Sequence, residues 1–155
     1  MANYLFEDLK DWSDVIKQLE MLSKSRKLKD HQNELIRVLH YDDNWRIREA
    51  AIQAVASIKE PSPALIAEVV GIMMRQDLYY EVRILAAEAL GTILCSRKRG
   101  TLSEKALTAM YDVLRNPHPP FFHQAVEDSI RKIMGTIPDP LSIQDSFVPG
   151  KEKLL

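Results

Sequence analysis

Cysteine is almost absent from this sequence of 155 residues, which contains Cys95 alone. One thiol cannot form an internal disulfide, and it cannot supply the several thiolates of a cysteine-based zinc site. Cys95 follows two apolar residues, Ile93 and Leu94. We therefore expect a buried side chain that behaves as a small hydrophobe rather than as a reactive thiol.

Long apolar runs and an excess of either charge are also missing. No stretch approaches the roughly 18 apolar residues that a membrane-spanning helix requires. The opening MANYLFEDLKDW does not place a basic region before an apolar one, so we predict no signal peptide and a cytoplasmic protein. The formal net charge is −1, from 21 basic and 22 acidic residues. No overall field therefore attracts nucleic acid or a membrane surface.

The sequence lacks the usual motifs of catalysis and metal binding. Its histidines, which do not occur at metal-site spacing with a second ligand, are His31, His40, His118 and His123. No serine lies in the Gly-x-Ser-x-Gly pattern of a nucleophile elbow. We therefore predict no enzymatic activity, no metal and no cofactor.

The sequence does contain an internal repeat. Residues 42–58 recur at residues 77–93 with a constant offset, 83 − 48 = 35. The aligned pairs include Asp42 with Asp77, Trp45 with Tyr80, Ile47 with Val82, Arg48 with Arg83, Ala51 with Ala86 and Val55 with Leu90. A third copy at residues 114–133 keeps the apolar pattern and loses the Asp and the Arg. Such self-similarity is typical of stacked-repeat proteins, whose terminal repeats deviate because they have one neighbour.

The apolar residues of each copy follow the i, i+3, i+4 spacing of a buried helical face. Asp11, Asp30, Ser62 and Thr101 precede helical stretches as capping residues, and Gly135, followed by Pro138, is predicted to end the last helix. We predict an all-α fold, an α-α superhelix of helical hairpins with about 3.5 repeats. The solenoid is expected to occupy residues 1–135. Residues 136–155, with three prolines and no helical period, are expected to form an extended or partly disordered tail.

This pattern resembles the HEAT repeat family, in particular the short HEAT-like repeats of the phycobilisome-lyase type. The resemblance covers about residues 30–134 and is carried by Asp42, Ile47, Arg48, Ala51 and Val55, with Asp77, Val82, Arg83, Ala86 and Leu90. It implies a structural ladder, in which Asp42 and Asp77 cap the following helices while Arg48 and Arg83 bridge to the next repeat. It implies little about function, because the family includes scaffolds, nucleic-acid binders and a few enzymes.

The two edges of such a solenoid differ in composition. The connections between repeats form a basic edge, which contains Lys24, Arg26, Lys27, Lys29, Lys59, Arg97, Lys98 and Arg99. The turns within repeats form an acidic and aromatic edge, which contains Tyr41, Asp42, Asp43, Trp45, Asp77, Tyr79, Tyr80, Glu81, Phe121 and Phe122. Either the second edge is an interaction surface, or its loops are simply polar and its aromatic residues fill the core.

The alignment separates two adjacent tyrosines on that edge. Side chains of neighbouring residues on a helix point about 100° apart, so Tyr79 and Tyr80 cannot both enter the core. Tyr80 aligns with Trp45, and Tyr79 aligns with the polar Asn44. We therefore predict that Tyr79 faces solvent.

The function that this pattern favours is a non-enzymatic protein-interaction module or scaffold. Its predicted partner-binding residues lie on the inner helix face and on the acidic and aromatic edge: Tyr41, Arg46, Glu49, Gln53, Tyr79, Glu81, Glu88, Gln124 and Asp128. One alternative is nucleic-acid binding through the basic edge, although the acidic inner face argues against a groove for phosphates. Another is an auxiliary subunit of a lyase-type enzyme, which only the resemblance implies. The partner and the oligomeric state stay open.

Overall fold

The computed structural model describes residues 6, 8–95 and 100–135, and it consists of helices joined by short turns. The helices are α1 (Trp12–Ser25), α2 (Gln32–Leu39), α3 (Trp45–Val55), α4 (Pro63–Met74), α5 (Tyr80–Leu94), α6 (Thr101–Arg115) and α7 (Pro120–Met134). A short 3₁₀ helix, Leu28–His31, precedes α2. No strand occurs in the described ranges, and the prediction of an all-α fold is confirmed.

The helices form two layers, because each hairpin contributes one helix to each layer. Helices α1, α3, α5 and α7 pack side by side, and α2, α4 and α6 pack against one another on the other side. We call the first set the inner layer, because the second helices of successive hairpins line one surface of a solenoid. The second set is the outer layer. The hairpins α2/α3, α4/α5 and α6/α7 are the first, second and third repeats. Helix α1 takes the place of a second helix ahead of them, which agrees with about 3.5 repeats.

The core lies between the layers, and its side chains recur at helical spacing. Buried residues at equivalent positions are Ile47, Ala51 and Val55 in α3 and Val82, Ala86 and Leu90 in α5. Small residues let α5 approach α7 closely. A Cβ atom at Gly91 would lie 3.1 Å from the Cα, Cβ and Oγ atoms of Ser129. The absence of a side chain at Gly91 is therefore part of the packing between these two helices.

The helix ends show which capping predictions hold. The Asp11 side chain accepts from the Asp14 amide at 3.4 Å, and Ser62 Oγ accepts from the Leu65 amide at 3.1 Å. Gly135 ends α7 in the left-handed conformation with φ 72°, which a residue without a Cβ adopts most easily. The predictions for Asp30 and Thr101 are wrong. Asp30 lies inside the 3₁₀ helix, and His31 precedes α2 without a side-chain capping bond. Thr101 is the first residue of α6, and the preceding Gly100 forms the cap without a side-chain hydrogen bond.

One further sequence prediction is wrong, and another concerns residues that the structure does not describe. Cys95 is exposed, not buried. It is the C-cap of α5, and its thiol donates to the Thr92 carbonyl at 3.1 Å. The apolar stripe ends one residue earlier at Leu94, so Cys95 is already turned away from the core. The predicted tail at residues 136–155 lies outside the described residues.

Candidate functional site

Two buried arginines hold the turns within the first and second repeats. Arg48 Nε donates to the Leu39 carbonyl at 3.3 Å, and Arg83 Nε donates to the Met73 carbonyl at 2.8 Å. Both carbonyls lie in the last turn of an outer helix, where backbone oxygens have no partner within the helix. Arg48 also pairs with the Asp42 carboxylate. Each arginine therefore fastens the end of one helix to the start of the next.

The acidic members of the predicted ladder are placed differently from the prediction. Asp42 does not cap α3, because Asn44 does so by accepting from the Arg46 amide at 2.9 Å. Asp77 does not cap α5, whose N-cap Tyr79 makes no side-chain capping bond. Repeat alignment could not show this, because caps depend on the backbone of each turn.

The partner of Asp77 is Arg75, not Arg83. Arg75 donates to both carboxylate oxygens of Asp77, at 3.0 and 2.6 Å, and its Nη1 lies 3.4 Å from Asp42. These bonds lower the pKa of the Asp77 carboxyl and raise that of Arg75, while burial lowers the pKa of Arg48. The chain Arg48–Asp42–Arg75–Asp77 thus links the turns of two adjacent repeats. Each charged group in this chain is paired with an opposite charge, which is the arrangement of a structural network.

A second cluster joins the second and third repeats. The Tyr80 hydroxyl lies 3.0 Å from His118 Nδ1, and the Tyr80 ring packs against the Phe122 ring with centroids 5.2 Å apart. The Arg83 guanidinium lies 5.1 Å from the Tyr80 ring centroid and 4.7 Å from that of Phe122. The His118 ring is also 5.7 Å from the His123 ring. The sequence did not reveal this cluster, because the third copy has lost the polar residues on which the alignment relies.

His118 is expected to make the protein less stable as the pH falls. Burial, then the positive Arg83 and the neighbouring His123, lower the pKa of His118 below its ordinary value, and Asp112 offsets this in part. The unfolded chain therefore takes up a proton near pH 6.5, whereas the folded protein resists protonation. The contribution of His118 to the free energy of unfolding is therefore fully present above about pH 6.5, and it is lost progressively as the pH falls below that value.

Thermal unfolding measured from pH 7.5 to pH 5 checks this prediction. His118→Gln should show a smaller decrease in melting temperature over this range than the wild type. His31→Gln, which removes a histidine at the other end of the chain, should keep the wild-type decrease. An unchanged pH dependence in His118→Gln would show that the imidazole does not titrate against Arg83 in the folded state.

Four exposed aromatic side chains stand at the beginnings of the four inner helices. Trp12 and Trp45 are the first residues of α1 and α3, Tyr79 is the N-cap of α5, and Phe121 is the second residue of α7. Their exposed fractions are 41%, 51%, 77% and 55%. We call this set the aromatic row. Because the inner helices are neighbours in one layer, the row follows one edge of the protein.

The aromatic row confirms one sequence expectation and corrects another. Tyr79 is exposed and Tyr80 is partly buried, as the alignment predicts. Trp45, however, is half exposed although it aligns with Tyr80. Tyr80 has the third repeat to pack against, whereas Trp45 meets Arg46. The Arg46 guanidinium lies 5.3 Å from the Trp12 ring centroid and 4.7 Å from that of Trp45.

The predicted inner-face residues fall into two shallow grooves. The larger, about 420 Å³, lies between α1 and α3 and is lined by Arg46, Glu49 and Gln53, with Glu20 and Lys24 across from them. The smaller, about 180 Å³, lies between α3 and α5 and is lined by Gln53 and Glu88, among others. Both linings combine apolar side chains with acid and amide, and only the larger groove also contains basic side chains. Such surfaces suit contacts with another protein better than contacts with a row of phosphates.

The remaining predicted partner-binding residues lie apart from these grooves. Gln124 donates to Asp128 at 3.0 Å on the exposed side of α7, and Asp128 also pairs with Arg131. Tyr41 is half buried and packs against the core, so it offers less free surface than Tyr79. Glu81 is exposed in the first turn of α5, beside Tyr79.

The structure describes only part of the predicted basic edge. Arg26, Lys27 and Lys29 are exposed around the 3₁₀ helix, and Arg26 and Lys29 line a cavity of about 280 Å³ together with Lys59. Lys24 belongs to the last turn of α1 and lines the larger inner groove instead. Arg97, Lys98 and Arg99 lie outside the described residues.

In the part of the chain that the structure describes, no group of histidine, cysteine and carboxylate side chains is arranged to hold a metal ion. No helix there has both the length and the apolar character needed to cross a membrane.

Comparison with known proteins gives one match. A family model described as HEAT repeats matches residues 32–131. The matched range begins with α2 and ends within α7, so it takes in all three hairpins. No curated protein matches the chain, and no solved structure matches it.

Proposed function

Because this chain belongs to the HEAT-repeat family, whose stacked helices commonly present extended surfaces to other proteins, we propose that it is a non-enzymatic protein-interaction module. The partner binds along the aromatic row and the adjoining inner-face grooves. Other proteins, rather than nucleic acid or a membrane, are the proposed class of partner.

The observation that carries this proposal is the exposure of all four residues of the aromatic row. Single exposed aromatic residues are common on monomeric proteins and need no explanation. Here one stands at the start of every inner helix, on one edge, and the largest exposed fraction is the 77% of Tyr79. Tryptophan and tyrosine are enriched among the residues that contribute most to binding energy in protein interfaces.

The non-enzymatic part of the proposal is supported by where the perturbed groups lie. Among the residues that the structure describes, the groups whose pKa is shifted are Arg48, Arg75, Asp77, Arg83 and His118. Each of them makes contacts that connect helices or turns, and none of these five lines the inner grooves described above. Structural ion pairs and buried contacts also shift pKa values, whereas catalytic groups combine a shifted pKa with access to a substrate cleft.

Tyr79→Ala tests this proposal. A partner captured with the wild-type protein and identified by mass spectrometry is purified, and its affinity is measured by calorimetry. Loss of an interface tyrosine should cost more than about 1 kcal/mol of binding free energy, which is roughly fivefold in Kd. The melting temperature should stay within a degree or two, because the side chain is exposed.

Met21→Ala is the matched control for this experiment. Met21 is also a large exposed apolar residue, and it lies near the opposite end of α1 from Trp12. Its replacement should leave the affinity unchanged. Equal affinities of the Tyr79→Ala variant and the wild type would show that the partner binds outside the aromatic row.

A further inference from the structure

The second repeat has a different residue at the position that Arg46 occupies in the first. Arg46 is the second residue of α3, and its guanidinium lies against the rings of Trp12 and Trp45. With the offset of 35, the equivalent residue of α5 is Glu81. Glu81 is exposed beside Tyr79, and the structure shows no hydrogen bond or ion pair for its side chain within the described residues. The first repeat supplies its own cation to the aromatic row, whereas the second supplies a carboxylate.

We propose, on the basis of the protein-interaction function above, that the partner contributes a basic extended segment. One of its arginine or lysine side chains packs on the Tyr79 ring and pairs with Glu81. Arg46 makes the comparable contact in the first repeat with the ring of Trp45, which lies one position further along its repeat than Tyr79 does. A cation against an aromatic face and a carboxylate gains from both contacts, and arginine favours such sites because its planar group also stacks.

The charges beside the aromatic row complement such a segment. Exposed carboxylates at this edge belong to Asp11, Asp14, Asp43 and Glu81. Asp42 and Asp77 are already paired with arginines. Within the described residues, the cations beside the row that lack an acidic partner are Lys10 and Arg46, so the carboxylates outnumber them. The excess of acid on this edge attracts a basic segment and repels an acidic one.

The spacing of the row sets the form of the segment. Packed helices lie about 8–10 Å apart, so successive aromatic residues of the row are separated by roughly that distance. A segment in the polyproline II conformation advances about 3.1 Å per residue with three residues per turn, so every third side chain lies on the same side. Every third residue of such an extended segment therefore meets the next member of the row, and about ten residues reach from Trp12 to Phe121.

Intrinsic fluorescence provides a local readout, because the two tryptophans of the sequence, Trp12 and Trp45, both belong to the row. The probe is a ten-residue glycine–serine peptide with arginine at every third position. Its controls are the same peptide with glutamate in place of arginine, and a peptide with the same arginines placed consecutively. We expect saturable fluorescence change with the spaced arginine peptide, at least tenfold weaker binding of the consecutive one, and none with glutamate.

Glu81→Arg tests the assigned position, because it supplies in the second repeat the cation that the first repeat already has. The affinity for the spaced arginine peptide should fall at least tenfold. Glu60→Arg makes the same change in net charge at an exposed residue of the opposite edge, and its affinity should stay within threefold of the wild type. Circular dichroism confirms that both variants are folded.

Each contrary result has a definite meaning. Equal losses in Glu81→Arg and Glu60→Arg would reduce the effect to net charge and overturn the site. Preference for the glutamate peptide would show that the partner is acidic rather than basic. Fluorescence that changes only with protein concentration would show that a second copy of the chain covers the row. If the arginine peptide does not bind while Tyr79→Ala still weakens binding of the natural partner, the proposed interaction function stands and the proposal of a basic segment is wrong.

Discussion

Arg83→Ala is expected to lower the free energy of unfolding by about 2–3 kcal/mol, because hydrogen bonds to charged groups contribute about 1.5–3 kcal/mol and stacking on aromatic rings adds to this. Arg83 is 3% exposed. Its Nε donates to the Met73 carbonyl, and its guanidinium packs against Tyr80 and Phe122. The substitution leaves that carbonyl without its donor and opens a gap between the second and third repeats. Part of the loss is offset, since burial of the charge lowers the pKa of Arg83 and is itself unfavourable.

Urea unfolding followed by circular dichroism measures this change. Arg115→Ala is the matched control, because Arg115 forms an exposed pair with Asp112 three residues earlier in the same helix. Exposed pairs contribute less than about 1 kcal/mol. The Arg83→Ala protein should still bind its partner at low temperature. A variant of full stability that has lost its partner would make Arg83 a binding residue rather than a structural one.

Gly91→Leu is expected to lower the free energy of unfolding by about 2–3 kcal/mol, the upper part of the usual range for overpacking. Even the first carbon of a side chain at Gly91 would lie 3.1 Å from Ser129, and one of the atoms it meets is the backbone Cα. Backbone cannot rotate aside as a flexible side chain does. Helices α5 and α7 must therefore move apart, which weakens the packing of the third repeat.

Gly71→Leu separates packing from helix propensity in this experiment. Gly71 is an exposed residue within α4, and a Cβ there would meet nothing within 4 Å. Leucine is a better helix former than glycine by up to about 1 kcal/mol, so this variant should be as stable as the wild type or slightly more stable. Similar losses in both variants would show that α5 and α7 tolerate a side chain between them.

The helices could be predicted from the sequence because they depend on local and periodic information. The apolar spacing and the offset of 35 residues predict helices over residues 45–58 and 79–95, within three residues of the observed bounds of α3 and α5. Asp11, Ser62 and Gly135 mark helix ends because each satisfies backbone groups of its own helix. Repeats placed in register stack on one another, so the two layers follow from the same pattern.

The candidate site was predictable only in part. Repeat alignment identified Tyr79 as exposed, since its counterpart Asn44 is polar. It also assigned Arg46, Glu49 and Gln53 to one helix face, and these three residues line one groove. The same alignment treated Trp45 and Tyr80 as equivalent, although one is half exposed and the other packs against the third repeat. Equivalent positions differ in burial whenever their neighbouring repeats differ.

The amino-acid sequence by itself determined the all-helical solenoid, the number of repeats and the exposure of Tyr79, because these depend on residues close together in the chain or related by a fixed period. Tertiary structure alone decided which groups meet across long separations. Arg46 reaches Trp12, Arg83 bonds the Met73 carbonyl instead of Asp77, and His118 joins Tyr80. The sequence contains several residues of suitable chemistry for each of these side chains, and only the packing of neighbouring helices selects among them.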